Sequence, residues 1–323
     1  MATAEQLKAL LRSHFGDDTE RFITSALQMA AHEAQQGHGA LAHDLRIIID
    51  KARSEREPFR ILNFPKELSG LVLTEHPETP LSSMVLPEVL RTRIDRVLHE
   101  YLQQDKLKNH GLSHRRKLLL VGPPGTGKTM ASRVLAHALH LPLHTIQVDK
   151  LTTRFMGETS AKLRQIFDLI QKEVGVYLFD EFDAIGGERT FDNDVGEMRR
   201  VLNAFLQFIE QDTSDSLIVA ATNSPRLLDR ALYRRFDDVL YFKNPDQHQR
   251  QQLIQNVVGS YQPKQFGWNG ILKASQTLSH AEIDSACRDA IKQAILSDKT
   301  SVDPSVLQQM LIDRRDTHPG LRE

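Results

Sequence analysis

A single cysteine, Cys287, stands among 323 residues, so no internal disulfide can form and a reducing compartment is expected. Charge of neither sign is in excess. Lys and Arg total 41 against 42 Asp and Glu, a formal net charge of −1. That removes the basic surplus of a protein that coats nucleic acid. Long apolar runs are missing as well: stretches such as Leu118–Val121 are far short of the roughly 20 residues of a membrane span, so no membrane partner is expected. The start, Met1-Ala2-Thr3-Ala4-Glu5-Gln6, is neither basic nor apolar, so no signal peptide and a cytoplasmic location are expected. Catalytic signatures of other classes are absent too. His32-Glu33 begins like a zinc-protease helix, but Gln36 takes the second ligand position, and no G-x-S-x-G occurs. What remains is an ordinary globular composition, 40% hydrophobic and 26% charged, with about two domains' worth of chain.

Four regions differ in rhythm. Over residues 1–53 apolar residues recur at helical spacing (Leu7, Leu10, Leu11; Phe22, Ile23, Ala26, Leu27; Leu45, Ile48, Ile49), with breaks at Gly16-Asp17-Asp18 and Gly37-His38-Gly39. This predicts a three-helix bundle. Residues 54–87 hold Pro58, Pro65, Pro77, Pro80 and Pro87, five of the chain's 13 prolines, and are expected to be an extended linker. Its Phe59, Ile61, Leu62, Phe64, Leu68, Leu71 and Leu73 call for a surface to cover.

From 88 to 244 helix and strand alternate. Strands are predicted at Lys117–Val121, Leu143–Val148, Val174–Phe179, Leu217–Ala221 and Val239–Phe242, with helices at Val89–Leu102, Lys128–Leu139, Ala161–Lys172 and Met198–Ile209. Five apolar strands interleaved with helices imply an α/β fold, a doubly wound five-stranded parallel sheet covered on both faces. Ligands of such sheets sit beyond the carboxyl ends of the strands. Residues 245–323 read as helical again, at Asp246–Val258, Ala281–Leu296 and Pro304–Arg314.

Chemistry concentrates at the strand ends. Gly122-Pro123-Pro124-Gly125-Thr126-Gly127-Lys128-Thr129 fits the phosphate loop G-x-x-x-x-G-K-[ST], entered by a strand and left by a helix. Glycines let successive backbone N–H groups face one phosphate chain. Lys128 adds charge at the β- and γ-phosphates, and the Thr129 hydroxyl can ligate Mg²⁺. Val176-Tyr177-Leu178-Phe179-Asp180-Glu181 ends a buried strand in two carboxylates. Asp180 would hold the Mg²⁺ shell and Glu181 would orient or deprotonate the attacking water. Asn223, closing the strand before it, offers an amide to that water or to the γ-phosphate.

With these motifs in hand, the chain resembles the AAA family of ATPases, within the larger AAA+ group. The phosphate loop, Phe179-Asp180-Glu181, Ala221-Thr222-Asn223 and the arginine-bearing Leu228–Asp237 stand in that family's order, and the resemblance spans about residues 85–313. It implies an ATP- and Mg-dependent hydrolase working as a homo-oligomeric ring, usually of six subunits, with a carboxyl-terminal helical lid. Arg234 and Arg235 resemble the arginine fingers that reach a neighbour's γ-phosphate. The Pro-Gly that many members carry between the two is missing here, and Arg235 is favoured as the principal finger. Phe155 and Met156 resemble the first pore loop, which grips polypeptide, and a second pore loop is sought near Phe191. Ser279-His280-Ala281-Glu282-Ile283 resembles the lid signature, with His280 where glycine is usual and adenine contact suggested for it. Arg288 lies too far along its helix to match the lid arginine of the DNA-acting branches.

The resemblance therefore implies a protein-remodelling ATPase with a protein substrate. The alternatives are a nucleotide-gated scaffold or a DNA-acting clamp or helicase loader, against which the neutral charge counts. The layout also resembles stand-alone bacterial AAA ATPases, some paired with a separate subtilisin-like protease, including in antiviral defence.

Overall fold

The computed structural model describes residues 26, 29–30, 44–47, 68, 70–154, 159–183, 192–224, 230–263 and 265–316. The chain divides into two compact units, Met1–Phe64 and Pro65–Glu323. Most of the bundle expected over 1–53 lies outside the described residues, which there form only short helical pieces. The second unit carries the α/β sheet and the carboxyl-terminal helices.

Its sheet is built from β1 (Val72–Glu75), β2 (Lys117–Val121), β3 (Leu143–Gln147), β4 (Val176–Asp180), β5 (Leu217–Thr222) and β6 (Asp238–Tyr241), in the spatial order β1-β3-β4-β5-β2-β6. The five strands expected from the apolar runs are all present and parallel. The sixth was not expected. β1, drawn from the proline-rich segment, pairs antiparallel with β3, Val72 opposite Ile146 and Glu75 opposite Leu143. Pro77 and Pro80 cannot donate to a ladder, but they fall just beyond the strand, where no ladder bond is needed. The segment thus covers the edge of β3 that would otherwise present unpaired backbone groups. Leu68 and Leu71 are fully buried as their composition demanded, whereas Leu73 remains half exposed.

Both sheet faces are covered, which is why the strands read as continuous apolar runs. Leu118, Leu120, Leu178, Val219 and Ala221 pack with α1 (Glu88–Leu102) and α3 (Lys128–Leu139). On the other face the alternate residue Phe179 meets Phe167 of α5 (Thr159–Lys172) and Phe205 of α6 (Asp192–Gln211), with ring centroids 5.9 and 5.1 Å away. The short helices α2 (Gln104–Asn109), α4 (Val148–Arg154) and α7 (Arg230–Tyr233) join these elements.

After Pro245 the chain forms a second hydrophobic cluster from α8 (Gln247–Val258), α9 (Trp268–Ala274), α10 (His280–Leu296) and α11 (Pro304–Asp316). Two capping boxes set its geometry. Asp246 and Gln249 bond reciprocally at the start of α8, and Ser279 and Glu282 do the same at the start of α10. Val85, from the segment before α1, is buried in this cluster, and Cys287 lies at its centre, its thiol pushed up to about 12 by burial.

Candidate nucleotide-binding site

Strand order decides what meets. β4, β5 and β2 are neighbours, so their carboxyl ends bring three segments together: Asp180-Glu181, Asn223 and the phosphate loop. The loop's glycines are required by its geometry. A Cβ on Gly122 would lie 2.1 Å from the Phe242 carbonyl oxygen, and Gly125 and Gly127 have φ of +75° and +100°. Gly127 turns the chain directly into α3, so the helix amino terminus faces the loop's concavity.

Lys128 is buried, and its ammonium donates to the carbonyls of Gly122 (2.7 Å) and Pro123 (2.9 Å) and to Asn223 Oδ1 (2.7 Å). Burial lowers its pKa, while the charges of Asp180 and Asp183 act in the opposite direction. The Thr129 hydroxyl donates to Asp180 Oδ2 at 2.9 Å. A hydroxyl and a carboxylate in contact beside a phosphate loop are the hard oxygen donors that a magnesium ion takes alongside phosphate. The residues present therefore fit a nucleoside triphosphate and its magnesium ion.

Glu181 has φ +51°, left-handed backbone that costs a non-glycine residue roughly 1 kcal/mol or more. Two bonds fix it there: its own N–H donates to Asp180 Oδ1 (2.9 Å), and the Phe182 N–H donates to the Ala221 carbonyl (2.8 Å). The carboxylate is exposed on the cleft wall.

The cleft, about 980 Å³, runs from the phosphate loop to α8 and α10. The start of α10 lies against the loop: the Ala281 N–H donates to the Gly125 carbonyl at 3.0 Å and ties the helix to it. His280, the residue before Ala281, lines the cleft. Its ring nitrogens are shielded from solvent; burial lowers its pKa, and the Val85 backbone acts in the opposite direction.

Of the sequence candidates, Lys128, Thr129, Asp180, Glu181 and Asn223 converge on one cleft with His280 on its wall. Arg234 and Arg235 do not join them. They precede β6, whose neighbour Asp237 donates its N–H to the Lys117 carbonyl at the amino-terminal end of β2. The phosphate loop leaves the opposite end of that strand, roughly 15 Å away at 3.3 Å per residue. Arg234 is exposed and Arg235 pairs with Glu210 at 3.2 Å. Phe155, Met156 and Phe191 lie outside the described residues; the first two fall between α4 and α5.

Other cleft residues were not legible as functional. Asp183 accepts the backbone N–H of Asn223 at 3.2 Å, which fixes the main chain where β5 ends. Met84 and Val85 come from the presumed linker, and Asn256, Asp284 and Arg288 from α8 and α10. Arg288, placed by its sequence position too far along its helix, does line the cleft, since 284, 288 and 291 share one face of α10. For Asp183 a signal existed, a third carboxylate two residues after Glu181.

A doubly wound sheet with a phosphate loop, a paired acidic strand end and a helical lid defines a nucleoside-triphosphate-binding module. The family model of the ATPase family associated with various cellular activities (AAA) matches residues 118–244. An uncharacterized AAA family ATPase of Sinorhizobium fredii is 31% identical over 329 residues, spanning 99% of this chain and 98% of its own. A putative 26S proteasome regulatory subunit homolog of Methanothermobacter thermautotrophicus is 29% identical over 68% of this chain and 60% of its own length. The crystal structure of the FIGL-1 AAA domain shares the fold, with a TM-score of 0.61 at 21% identity, covering 81% of this chain and 96% of that one. The chain belongs to the AAA family and is an ATPase. Among the described residues no helix is long and apolar enough to cross a membrane.

Proposed function

We propose that this ATPase is magnesium-dependent, assembles into a homo-oligomeric ring, six subunits being the expected number, and remodels or threads a protein substrate. Residues 88–244 form its ATPase body and 245–323 its lid. The observation that carries the hydrolytic part is the contact of Thr129 with Asp180 beside Lys128, with Glu181 next in the chain. Lys128 would exchange one or more of its three internal bonds for phosphate oxygens. Thr129 and Asp180 would hold the magnesium ion, which supplies charge neutralisation on the phosphates. Glu181 would take a proton from the attacking water, and Asn223, its main chain held by Asp183, would position that water.

Arg234 and Arg235 would serve a neighbour's nucleotide, since they stand at the far end of the sheet from their own. Phe155 and Met156 would line the pore. The likeness to a proteasome regulatory subunit homolog supports a protein substrate, and a separate protease receiving the unfolded chain is consistent with it. The test is Phe155→Ala: ATP turnover within about twofold of wild type, with unfolding of the captured substrate lost. Full unfolding by that variant would overturn threading. The substrate itself is sought by pull-down on Glu181→Gln, which would hold ATP and whatever the ring has engaged.

A further inference from the structure

We propose that Asp237 is a positioning residue for ATP hydrolysis: its carboxylate fastens the stretch of chain that carries Arg234 and Arg235 to the amino-terminal end of β2. The inference rests on the reading that these arginines serve a neighbouring copy's nucleotide, and goes beyond it by naming what sets their place.

Few other contacts define that place. α7 is one short turn, and the Arg235 N–H donates to the Leu232 carbonyl at 3.0 Å just after it. Leu232 and Phe236 are buried on either side of the arginines, which fixes the depth of the segment but not its direction. Arg234 is exposed, and the Arg235–Glu210 pair joins side chains that are 40% and 55% exposed. A pair so open to water holds little. Ladder pairing of β6 begins only at Asp238, opposite Leu118.

Asp237 supplies the fastening. Its N–H donates to the Lys117 carbonyl at 2.8 Å, and its Oδ2 accepts the backbone N–H groups of Arg116 and Lys117, each at 2.9 Å. Three bonds thus join one residue to two successive residues of the neighbouring strand, and the two to the carboxylate are charge-assisted. The point of attachment is itself well held. The Arg116 guanidinium binds both the side chain and the carbonyl of Asp212, which is buried at the end of α6. Asp238, next in the chain, is taken by Arg93 of α1. The carboxylates that follow the arginines are therefore engaged with the body of the subunit. Arg235 and Arg234 stand two and three residues from this clamp, so their main chain is held while their side chains reach outward. Precision of that kind matters, because a shift of about 1 Å in a positioned group can cost roughly 100-fold in rate.

The test uses the full-length protein. Asp237→Ala is expected to lower kcat roughly tenfold or more while ATP affinity stays within about threefold of wild type, since the phosphate loop leaves the opposite end of β2. Asp237→Asn, which keeps an acceptor oxygen without its charge, should fall between the two. Rescue by mixing is the readout that a merely structural role would not move. Asp237→Ala keeps its own Glu181, and Glu181→Gln keeps well-placed arginines, so the mixture should hydrolyse ATP several-fold faster than either protein alone. A loss of ATP affinity as large as the loss of kcat, or a mixture no faster than its components, overturns the inference. The Arg234→Ala/Arg235→Ala double variant mixed with Glu181→Gln tells the two failures apart. If that mixture is rescued and the Asp237→Ala mixture is not, the inference alone fails. If neither is rescued, the reading of the arginines fails and takes the inference with it.

Discussion

Lys128 is the residue on which the site turns, because a buried ammonium needs partners and here takes all three from the site itself: two loop carbonyls and Asn223. Phosphate oxygens can replace them at no loss of charge pairing, whereas an alanine leaves the cradle without that cation. Lys128→Ala is expected to lose ATP binding by more than about 100-fold, the worth of a charge-assisted contact in a partly desolvated site, measured by calorimetric titration. Asp183 acts one step removed. Without it the backbone N–H of Asn223 loses its acceptor, and the strand end that carries the amide is less firmly held. Asp183→Ala should lower kcat about tenfold, equal to ~1.4 kcal/mol, with a smaller change in ATP affinity. A binding defect equal to the rate defect would show that Asp183 serves the ground state instead.

Among the elements, β1 shows what a proline-rich stretch conceals. Read for composition it is a linker; in the fold it closes a sheet edge and meets His144, whose Nδ1 lies 2.9 Å from Thr74 Oγ1 while its ring lies tilted against Tyr177, centroids 4.6 Å apart. Burial, with a smaller contribution from His76, holds His144 down to about 4. The folded pKa thus lies below the unfolded value of about 6.5, so between the two the unfolded chain binds a proton that the folded chain does not. Stability is full above pH 6.5 and falls as pH drops toward 4. From pH 7.5 to 5 the loss from this group is about 2 kcal/mol. Urea unfolding at the two pH values should show His144→Gln losing less stability than wild type by about that amount; equal losses would remove His144 from the acid response.

The same contrast runs through the other elements. α3 begins and ends where its residues foretold, since Gly127 fixes its start and His140, at φ +55°, its end. α2, α4 and α9 went unread because six or seven residues are too few to show a period. The phosphate loop and the Asp180-Glu181 pair were legible because one short segment carries each whole function. Asn256, Asp284 and Arg288 were not, because their place on the cleft wall depends on two helices 25 or more residues apart packing together.

For the whole molecule the decisive feature is a separation. Arg234 and Arg235 stand at the amino ends of the strands and the phosphate loop at their carboxyl ends, so one chain cannot bring both to the same ATP. If neighbouring copies do so, two inactive proteins should rescue each other. The Arg234→Ala/Arg235→Ala double variant keeps Glu181 but offers no arginine, whereas Glu181→Gln offers arginines to its neighbour. Mixed, they should hydrolyse ATP faster than either alone, since some interfaces become complete. Activity of the double variant alone at the wild-type rate would exclude the composite site.

Glu181 tests the assignment of the cleft most directly, since its left-handed backbone is held by Asp180 and by the bond from Phe182 to β5 and does not depend on its carboxylate. Glu181→Gln should therefore keep the local fold. Measured side by side, its ATP affinity should stay within about threefold of wild type, while phosphate release in the presence of magnesium should fall by roughly 100-fold or more, the usual worth of a positioned general base. Phosphate release by Glu181→Gln at the wild-type rate would contradict the assignment of this cleft as the hydrolytic site.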